Sequence, residues 1–217
     1  MDGINRLFAG KNILVLGAHP DDELGCGGTL AKLSKNKEIN VYHYFYASCQ
    51  QSLRDIGLPE DQLLQEVAES RKVLSLREEN CGNFDFPVRE LEAHRQAILE
   101  TLIQLKKDIR PALVLIPNRN DIHQDHATIC REAIRAFKNT TILGYEMPWN
   151  TLSMNHDCLV SITEQELETK IEANKCYVSQ LHRNYANIEF YKSLAKVRGV
   201  QANIEYAECF EVIRLFL

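Results

Sequence analysis

The segment NILVLGAHPDDE, residues 12–23, decides the fold that we expect for this chain. Its first part, residues 12–16, is a short apolar run closed by Gly17, which is typical of a strand buried on both faces. Similar strand patterns recur further along, and helical patterns separate them. Strands that alternate with helices in this way predict right-handed crossovers and a mainly parallel sheet covered by helices on both faces.

The remaining elements continue this alternation, and no shift in composition divides the chain. The strand patterns lie at residues 12–16, 40–47, 112–116, 141–146 and 209–216. The helical patterns lie at residues 29–34, 59–76, 91–107, 125–137, 164–176 and 189–196. Residues 48–58 show little periodicity and are expected to form a mobile loop. The 217 residues, 45% of them hydrophobic, predict a single α/β domain over residues 1–217.

The charge and cysteine content exclude several classes of protein. The chain carries 25 Lys and Arg against 30 Asp and Glu, a net charge of -5, and has no basic patch suited to nucleic acid. No segment is long and apolar enough to span a bilayer, and the N-terminus lacks the order of a signal peptide. Seven cysteines without a CxxC pair argue against a disulfide framework and a thiolate zinc site. We therefore expect a cytoplasmic protein that binds a small molecule.

Side chains of metal-ligand type follow two of the predicted strands at their carboxyl ends. His19 and Asp22 follow the first strand, and His123 and His126 follow the strand at residues 112–116. Each pair is spaced by three residues, which places both side chains on one side of a turn. Ligands of open α/β sheets bind at this edge of the sheet. The two pairs together therefore predict a metal site or an acid–base site.

Zinc suits these residues because it prefers histidine nitrogen and carboxylate oxygen, and a catalytic site uses about three protein ligands and a water. His19, Asp22 and one of the histidines His123 and His126 make up a set of this kind. Asp21 is then free to take a proton from the water, and the other histidine to meet developing charge. The other histidines are interpreted as structural or surface residues: His43, His94, His156 and His182.

A glycine-rich stretch, residues 25–28, raises the alternative of a nucleotide-binding enzyme. The third glycine of a G-x-G-x-x-G motif would fall at Leu30, and the acidic residues 21–23 would meet the pyrophosphate. We reject that alternative and expect these glycines to permit tight packing of a helix on the sheet, or a turn.

The two ligand-bearing segments together resemble the motifs of a known family. Residues 18–23 (AHPDDE) and 123–126 (HQDH) are similar to the paired AHPDDE and HxDH motifs of the PIG-L/LmbE-like metal-dependent de-N-acetylases. These include the deacetylases of mycothiol, bacillithiol and GlcNAc-phosphatidylinositol biosynthesis. Weaker similarities lie at residues 24–30, 177–180, 198–199 and 206–210. The resemblance implies a Rossmann-like α/β fold and hydrolysis of an N-acetyl group, usually on an amino sugar.

The resemblance also implies roles for individual residues. The implied metal ligands are His19, Asp22 and His126. Zinc is the expected ion, and the same donors are compatible with iron(II). Asp21 would be the general base, and His123 the acid or the oxyanion stabiliser. Asp125 would orient His123 and keep it protonated.

Four further side chains are candidate substrate contacts. Trp149 offers a flat surface for a sugar ring, and Arg89 offers a cation for a hydroxyl, phosphate or carboxylate group. Asn120 and Asp121 stand beside the metal motif and could bind sugar hydroxyls. Trp149 is equally compatible with a position that caps the core, and Arg89 with a surface ion pair.

The chain departs from the family pattern on the substrate side. Many members carry a T-x-G-E-type loop after the second strand, where this chain has ASCQQS at residues 47–52. Many also carry an R-x-x-E pair, of which this chain keeps Glu66 but has Leu63 at the Arg position. That Arg contributes to substrate binding in mycothiol-type enzymes, which weakens the case for a thiol-precursor substrate. Arg54 and Arg71 are the candidate replacements.

We therefore expect a zinc-dependent de-N-acetylase that acts on an N-acetylated amino sugar of the GlcNAc type, free or linked to a nucleotide or a small aglycone. The alternatives are a metal-dependent amidase on a non-sugar N-acyl substrate and a non-catalytic metal-binding relative. Members of the family often associate, so a homo-oligomer is also expected.

Overall fold

The sheet is built around the two most apolar strands of the sequence. The computed structural model describes residues 3–216; residues 1, 2 and 217 of the expected domain lie outside the described residues. The strands are β1 (Asn12–Gly17), β2 (Asn40–Phe45), β3 (Cys81–Asn83), β4 (Leu113–Pro117), β5 (Thr141–Tyr145), β6 (Cys158–Ile162) and β7 (Tyr206–Arg214). They form one sheet in the order β3-β2-β1-β4-β5-β7-β6. β1 and β4 lie side by side at its centre, where their apolar residues are fully buried.

Helices connect the strands and cover the sheet, as the alternation predicts. The helices are α1 (Gly3–Leu7), α2 (Gly27–Ser34), α3 (Gln50–Asp55), α4 (Gln62–Val73), α5 (Arg95–Ile109), α6 (Gln124–Ala136), α7 (Glu164–Lys175) and α8 (Ile188–Gln201). The first five strands are parallel to one another, whereas β7 runs antiparallel to both β5 and β6. The prediction of a single-domain α/β fold with a mainly parallel sheet is therefore confirmed.

Several local differences separate the structure from the sequence-based elements, among them α1 and β3, which lie outside the patterns given above. Residues 50–55, inside the expected mobile loop 48–58, form the short helix α3. The edge strand β6 was not expected, because its burial pattern is incomplete and its fourth residue, Ser161, is exposed. The expected helix at residues 91–107 begins with a 3₁₀ turn, Leu91–His94, before α5 starts.

The glycines at residues 25–28 allow close packing, as expected. A Cβ atom added to Gly25 would lie 2.5 Å from the Tyr145 ring. The amides of Gly28 and Thr29, at the start of α2, donate to the buried carboxylate of Glu208 at 2.9 and 2.6 Å. Because a carboxylate of this chain already binds these two amides, they are not available to a pyrophosphate. The structure thus supports the rejection of a nucleotide-binding loop.

Two further observations concern the cysteines and the length and apolarity of the helices. All seven cysteines are free, three of them half-buried and four buried, in line with the absence of a disulfide framework. Within residues 3–216, no helix is both long and apolar enough to cross a membrane.

Candidate functional site

The two ligand-bearing segments meet at the carboxyl edge of the sheet. The turn that carries His19 and Asp22 follows β1, and the segment that carries His123 and His126 follows β4 and opens α6. The chain proceeds from β1 to one side of the sheet and places β4 on the other side, so this point is a topological switch. Such a switch leaves a crevice in which α/β proteins bind ligands.

Three side-chain atoms form a compact triangle at this crevice. His19 Nδ1 lies 3.1 Å from His126 Nε2, and Asp22 Oδ1 lies 3.3 Å from His126 Nε2 and 3.7 Å from His19 Nδ1. Zinc bonds to nitrogen and oxygen are about 2.0–2.1 Å long, so neighbouring ligands of a tetrahedral ion stand roughly 3.3–3.4 Å apart. The donor types and their spacing therefore fit a zinc ion.

A second set of ligand atoms is present in the same crevice. One ring nitrogen from each of His19, His123 and His126 also lies within 4.8 Å of the others. This set is looser than the triangle that includes Asp22. The geometry therefore brings together all the ligand candidates of the sequence and favours the triangle.

Hydrogen bonds fix the orientation of the three triangle residues. Asp22 Oδ2 accepts from the amides of Ala18 and His19 at 2.6 and 2.9 Å, which leaves Oδ1 facing the histidines. His19 Nε2 lies 3.1 Å from Asp125 Oδ2, and His126 Nδ1 lies 2.8 Å from Asp121 Oδ2. A carboxylate on the far nitrogen of a histidine sets its tautomer and ring orientation, an arrangement common around metal ions.

The position of Asp125 differs from the expectation that it orients His123. Its buried carboxylate contacts His19 and accepts from the amides of Arg89 and Leu91 at 2.7 and 3.2 Å. Among the described residues it makes no side-chain hydrogen bond to His123. Residues two apart at a helix start do not face the same side, so Asp125 is not placed to orient His123 as the resemblance implied.

Asp121 and Asn120 also differ from the expected role as sugar contacts. The Asp121 side chain is fully buried, and its Oδ1 accepts from the His123 amide at 2.8 Å while its Oδ2 holds His126. It therefore supports the two histidines and has no surface to offer a substrate. Asn120 is exposed, with its side-chain nitrogen 3.4 Å from Ser153 Oγ, and it does not line the cavity described below.

The charges around the triangle shift the pKa values of its histidines upward. Burial acts to lower the pKa of both rings, but the Asp22 carboxylate and hydrogen bonds to carboxylates outweigh it. The pKa of His19 rises to about 9 and that of His126 to about 10. These rings thus bind protons more tightly than a free imidazole does until a metal ion takes the place of those protons.

His123 is tuned in the opposite direction. Burial, followed by the positive charges of His19 and His126, lowers its pKa to about 4. Its Nδ1 accepts from the Asp125 amide at 3.2 Å, so the neutral ring carries its hydrogen on Nε2. This environment therefore favours a neutral His123 ring that can donate from Nε2 over the protonated ring expected from the sequence.

Asp21 lies on the wall of the same cavity and has a free carboxylate. It is half-buried, and among residues 3–216 no other side chain hydrogen-bonds to it. Burial, followed by the negative charge of Asp22, raises its pKa. A carboxylate with a raised pKa and no side-chain partner is suited to take up a proton from a bound molecule.

Behind this site, a buried tyrosine anchors the turn after β1. Tyr177 Oη lies 2.8 Å from the Pro20 carbonyl oxygen and 2.5 Å from Glu23 Oε1, which also accepts from Ser70 Oγ at 2.6 Å. Burial raises the pKa of Glu23 to about 8. These contacts tie the His19–Asp22 turn to α4 and to the segment after α7, a role that the sequence did not reveal for Tyr177.

The crevice opens into a cavity of about 450 Å³. Trp149 lines it and stacks on Tyr185, with ring centroids 4.2 Å apart and planes at 11°. Arg89 also lines it, and its guanidinium makes an exposed 3.2 Å ion pair with Asp55. His182, interpreted from the sequence as a structural or surface residue, also lines the cavity. Other lining residues were not identified from the sequence because nothing in the local pattern marks them: Cys49, Ser52, Leu53, Ile56, Val88, Met147, Asn150, Gln180, Arg183 and Tyr185.

Arg71 and Arg54, the two candidates to replace the missing family Arg, form contacts outside the cavity. Arg71 donates to His43 Nδ1 at 3.1 Å and to the Gly82 carbonyl oxygen at 3.0 Å, and Arg54 pairs with Glu60 at 3.3 Å. Neither guanidinium lines the cavity, whereas Leu63 does. His43, buried in β2, has the structural role expected for it.

The family match and the sequence relative of this chain agree with each other. The family described as PIG-L, GlcNAc-PI de-N-acetylase, matches residues 14–137, more than half of the chain. The chain is 32% identical over 181 residues to the protein named uncharacterized deacetylase YaiS of Escherichia coli K12; the match covers 78% of this chain and 91% of the relative.

Two solved structures show the same fold. One is N,N'-diacetylchitobiose deacetylase from Pyrococcus horikoshii, with a TM-score of 0.77, 23% identity, and 94% and 84% of the two chains covered. The other is GalB, the 4-carboxy-2-hydroxymuconate hydratase of Pseudomonas putida KT2440, with a TM-score of 0.79, 20% identity, and 95% and 98% covered. At these identities the likeness concerns the fold alone, and the fold carries more than one chemistry. From its family match, its relative and the ligand set that it assembles, the chain belongs to the PIG-L family of deacetylases.

Proposed function

We propose that this protein is a zinc-dependent hydrolase that removes the acetyl group from an N-acetylated amino sugar of the GlcNAc type. The observation that carries the proposal is the triangle of His19, Asp22 and His126 beside the Asp21 carboxylate, which has no side-chain partner among residues 3–216. An amide is resistant to neutral water, so hydrolysis needs both activation of the water and stabilisation of the charge on oxygen. The site contains a group for each task.

His19, Asp22 and His126 would hold the ion, and the three donors fit it in type and spacing. When bound, zinc lowers the pKa of a water molecule to about 7 and polarises the acetyl carbonyl. The carboxylates of Asp125 and Asp121 keep the two histidine rings turned toward the ion. Iron(II) accepts the same donors, so both metals belong in the assay.

Asp21 and His123 divide the proton transfer and the charge stabilisation. The Asp21 carboxylate accepts a proton from the attacking water and delivers it to the amine, which must leave protonated. The neutral His123 ring donates its Nε2 hydrogen to the acetyl oxygen as negative charge develops there. His123 acts here as a neutral ring, so this step does not require Asp125 to keep it protonated.

The cavity wall supports a sugar as the acyl carrier. Trp149 and Tyr185 line one side of the crevice as a stacked aromatic pair, and aromatic side chains suit the apolar face of a sugar ring. The relative named deacetylase and the matching family described as GlcNAc-PI de-N-acetylase support the same reaction. The seven free cysteines support a cytoplasmic location. Association into a homo-oligomer remains a prediction, which light scattering after size-exclusion chromatography would test.

The test is acetate release from N-acetylglucosamine and from UDP-N-acetylglucosamine. Zinc-loaded protein should release acetate, whereas chelated protein and the zinc-loaded Asp21→Asn variant should lose at least 100-fold in rate. Asp108→Asn, an exposed change on α5, is the matched control and should keep the activity. Release from simple N-acyl amines but not from either sugar would instead favour a non-sugar amidase. A fully zinc-loaded protein that hydrolyses none of these would contradict the proposal.

A further inference from the structure

The order of the strands places different surfaces on the two sides of the crevice. The triangle lies after the central strands β1 and β4. Trp149 follows β5, on one side, and Tyr185 stacks on it. On the other side, the connections around β2 and β3 supply four aliphatic residues that line the cavity. This aliphatic wall consists of Leu53, Ile56, Leu63 and Val88.

The aliphatic wall has a buried base and an exposed rim. Leu53, Leu63 and Val88 are buried, at 1%, 4% and 8% exposure, so they are held in place by the core. Ile56 directly follows α3 and is 57% exposed at the mouth of the cavity. An apolar group that lay along this wall would remove Ile56 from water, and such burial is favourable.

The positive charge of Arg89, on this side of the cavity, is already paired with a carboxylate. Arg89 lines the cavity on this side, and its guanidinium lies 3.2 Å from Asp55 Oδ2 and 3.3 Å from Ser52 Oγ. Arg183 also lines the cavity and lies in the segment that carries Tyr185. A phosphate or carboxylate placed on the aliphatic wall beside Arg89 would therefore meet a cation that is already paired, and would lose its hydration with little compensation.

The size of the cavity leaves room for more than one group of the substrate. Its volume of about 450 Å³ lies within the range of roughly 300–1,000 Å³ that holds drug-sized ligands. A sugar on the aromatic side, with its acetamide at the triangle, leaves the aliphatic side to a further part of the same molecule.

We propose that the aliphatic wall binds an uncharged alkyl-type group of the substrate, next to the reacting amide. This inference rests on the proposed function, because it assumes that the acyl amide lies at the triangle. The group has two chemical sources: an aglycone on the anomeric oxygen, or an acyl chain longer than acetyl. Both present the same methylene surface to Leu53, Ile56, Leu63 and Val88.

The test compares kcat/KM for matched substrates with zinc-loaded protein. The aglycone arm uses the methyl and octyl β-glycosides of N-acetylglucosamine, and the acyl arm uses N-acetyl- and N-octanoylglucosamine. Each buried methylene is worth about fourfold, so one of the octyl substrates should exceed its short partner by at least tenfold. UDP-N-acetylglucosamine should show no such gain over the methyl glycoside. Short and long substrates of equal kcat/KM in both arms would overturn the inference.

Two variants connect the effect to the wall. Ile56→Asn changes an exposed residue, so it should not impair folding, and it should reduce the long-to-short ratio at least threefold. Leu63→Asn should reduce the ratio further, provided that its circular dichroism matches the wild type. Ile103→Asn, a change on α5 at a partly exposed site away from the cavity, is the control and should keep the wild-type ratio. An unchanged ratio in folded Ile56→Asn and Leu63→Asn would show that the wall is not involved.

A binding measurement separates this inference from the proposed function. If the protein hydrolyses none of the substrates, the proposed function fails, and titration calorimetry with the methyl and octyl glycosides still tests the wall. Tighter binding of the octyl glycoside by wild type, weakened in Ile56→Asn, would support the subsite. Equal affinity of wild type for the two glycosides, together with equal affinity for N-acetyl- and N-octanoylglucosamine, would overturn it.

Discussion

The Asp121→Asn variant tests whether Asp121 supports the metal site or binds the substrate. The Asp121 side chain is fully buried, with Oδ2 2.8 Å from His126 Nδ1 and Oδ1 2.8 Å from the His123 amide nitrogen. Its charge and hydrogen bond help to raise the pKa of His126. An amide in its place removes the charge and can accept from only one of the two groups, so the His126 ring is held less firmly.

The expected size of the effect follows from this arrangement. Loss of a carboxylate that orients a metal-bound histidine typically weakens metal affinity by about 10- to 100-fold, which corresponds to roughly 1.4–2.7 kcal/mol. KM for the substrate should change by less than about threefold, because the buried side chain cannot reach it. We therefore expect the loss to show in zinc affinity, and to be overcome in part by excess zinc.

The assay is competition of Asp121→Asn with a zinc-binding dye of known affinity, run beside steady-state kinetics at saturating zinc. Asp108→Asn, an exposed carboxylate on α5, controls for the loss of one negative charge. Zinc affinity within twofold of wild type, together with a KM raised tenfold, would refute the reasoning. That result would return Asp121 to the substrate-contact role inferred from the sequence.

Three further predictions concern residues around the same site. His123→Ala should lower kcat by about 100- to 1,000-fold with one zinc still bound per chain; loss of the zinc in elemental analysis would instead make His123 a ligand. Tyr177→Phe removes the hydroxyl that contacts Glu23 and the turn after β1, and should destabilise the protein by about 1–3 kcal/mol in thermal or denaturant unfolding, whereas an unchanged midpoint would contradict that anchoring role. Because the pKa values of His19 and His126 rise from 6.5 to about 9 and about 10, their protonated forms stabilise the metal-free fold fully below pH 6.5 and progressively less up to pH 10. The unfolding temperature of chelated protein should therefore fall across that window, and a rise there would contradict the assignment.

The sequence contains enough information to predict the sheet and to identify the candidate metal ligands. The apolar runs that become β1 and β4 are continuous, so their burial on both faces is evident from the residues alone. Parallel neighbours end at the same edge, so His19 and His126 had to meet once both strands were assigned. The edge strand β6 lacks such a run and could not be recognised in the same way.

The contacts that support the site were harder to predict from the sequence. Asp121, Asp125 and His123 lie within five residues of one another, and only the start of α6 decides which of them face each other. The contacts of Tyr177 and the wall at Leu63 join parts of the chain far apart in sequence. Long-range packing of this kind leaves no local signal, which is why the sequence could indicate that the candidate ligands meet but not the contacts that surround them.

The most direct test of the metal site is an anomalous-difference map from crystals of the protein loaded with zinc, with data collected at the zinc edge. We expect one peak per chain, within about 2.0–2.2 Å of His19 Nδ1, His126 Nε2 and Asp22 Oδ1, with His123 Nε2 outside bonding distance. A peak bonded to His19, His123 and His126, with Asp22 unbound, would contradict this account, and so would a crevice without a peak in zinc-saturated crystals.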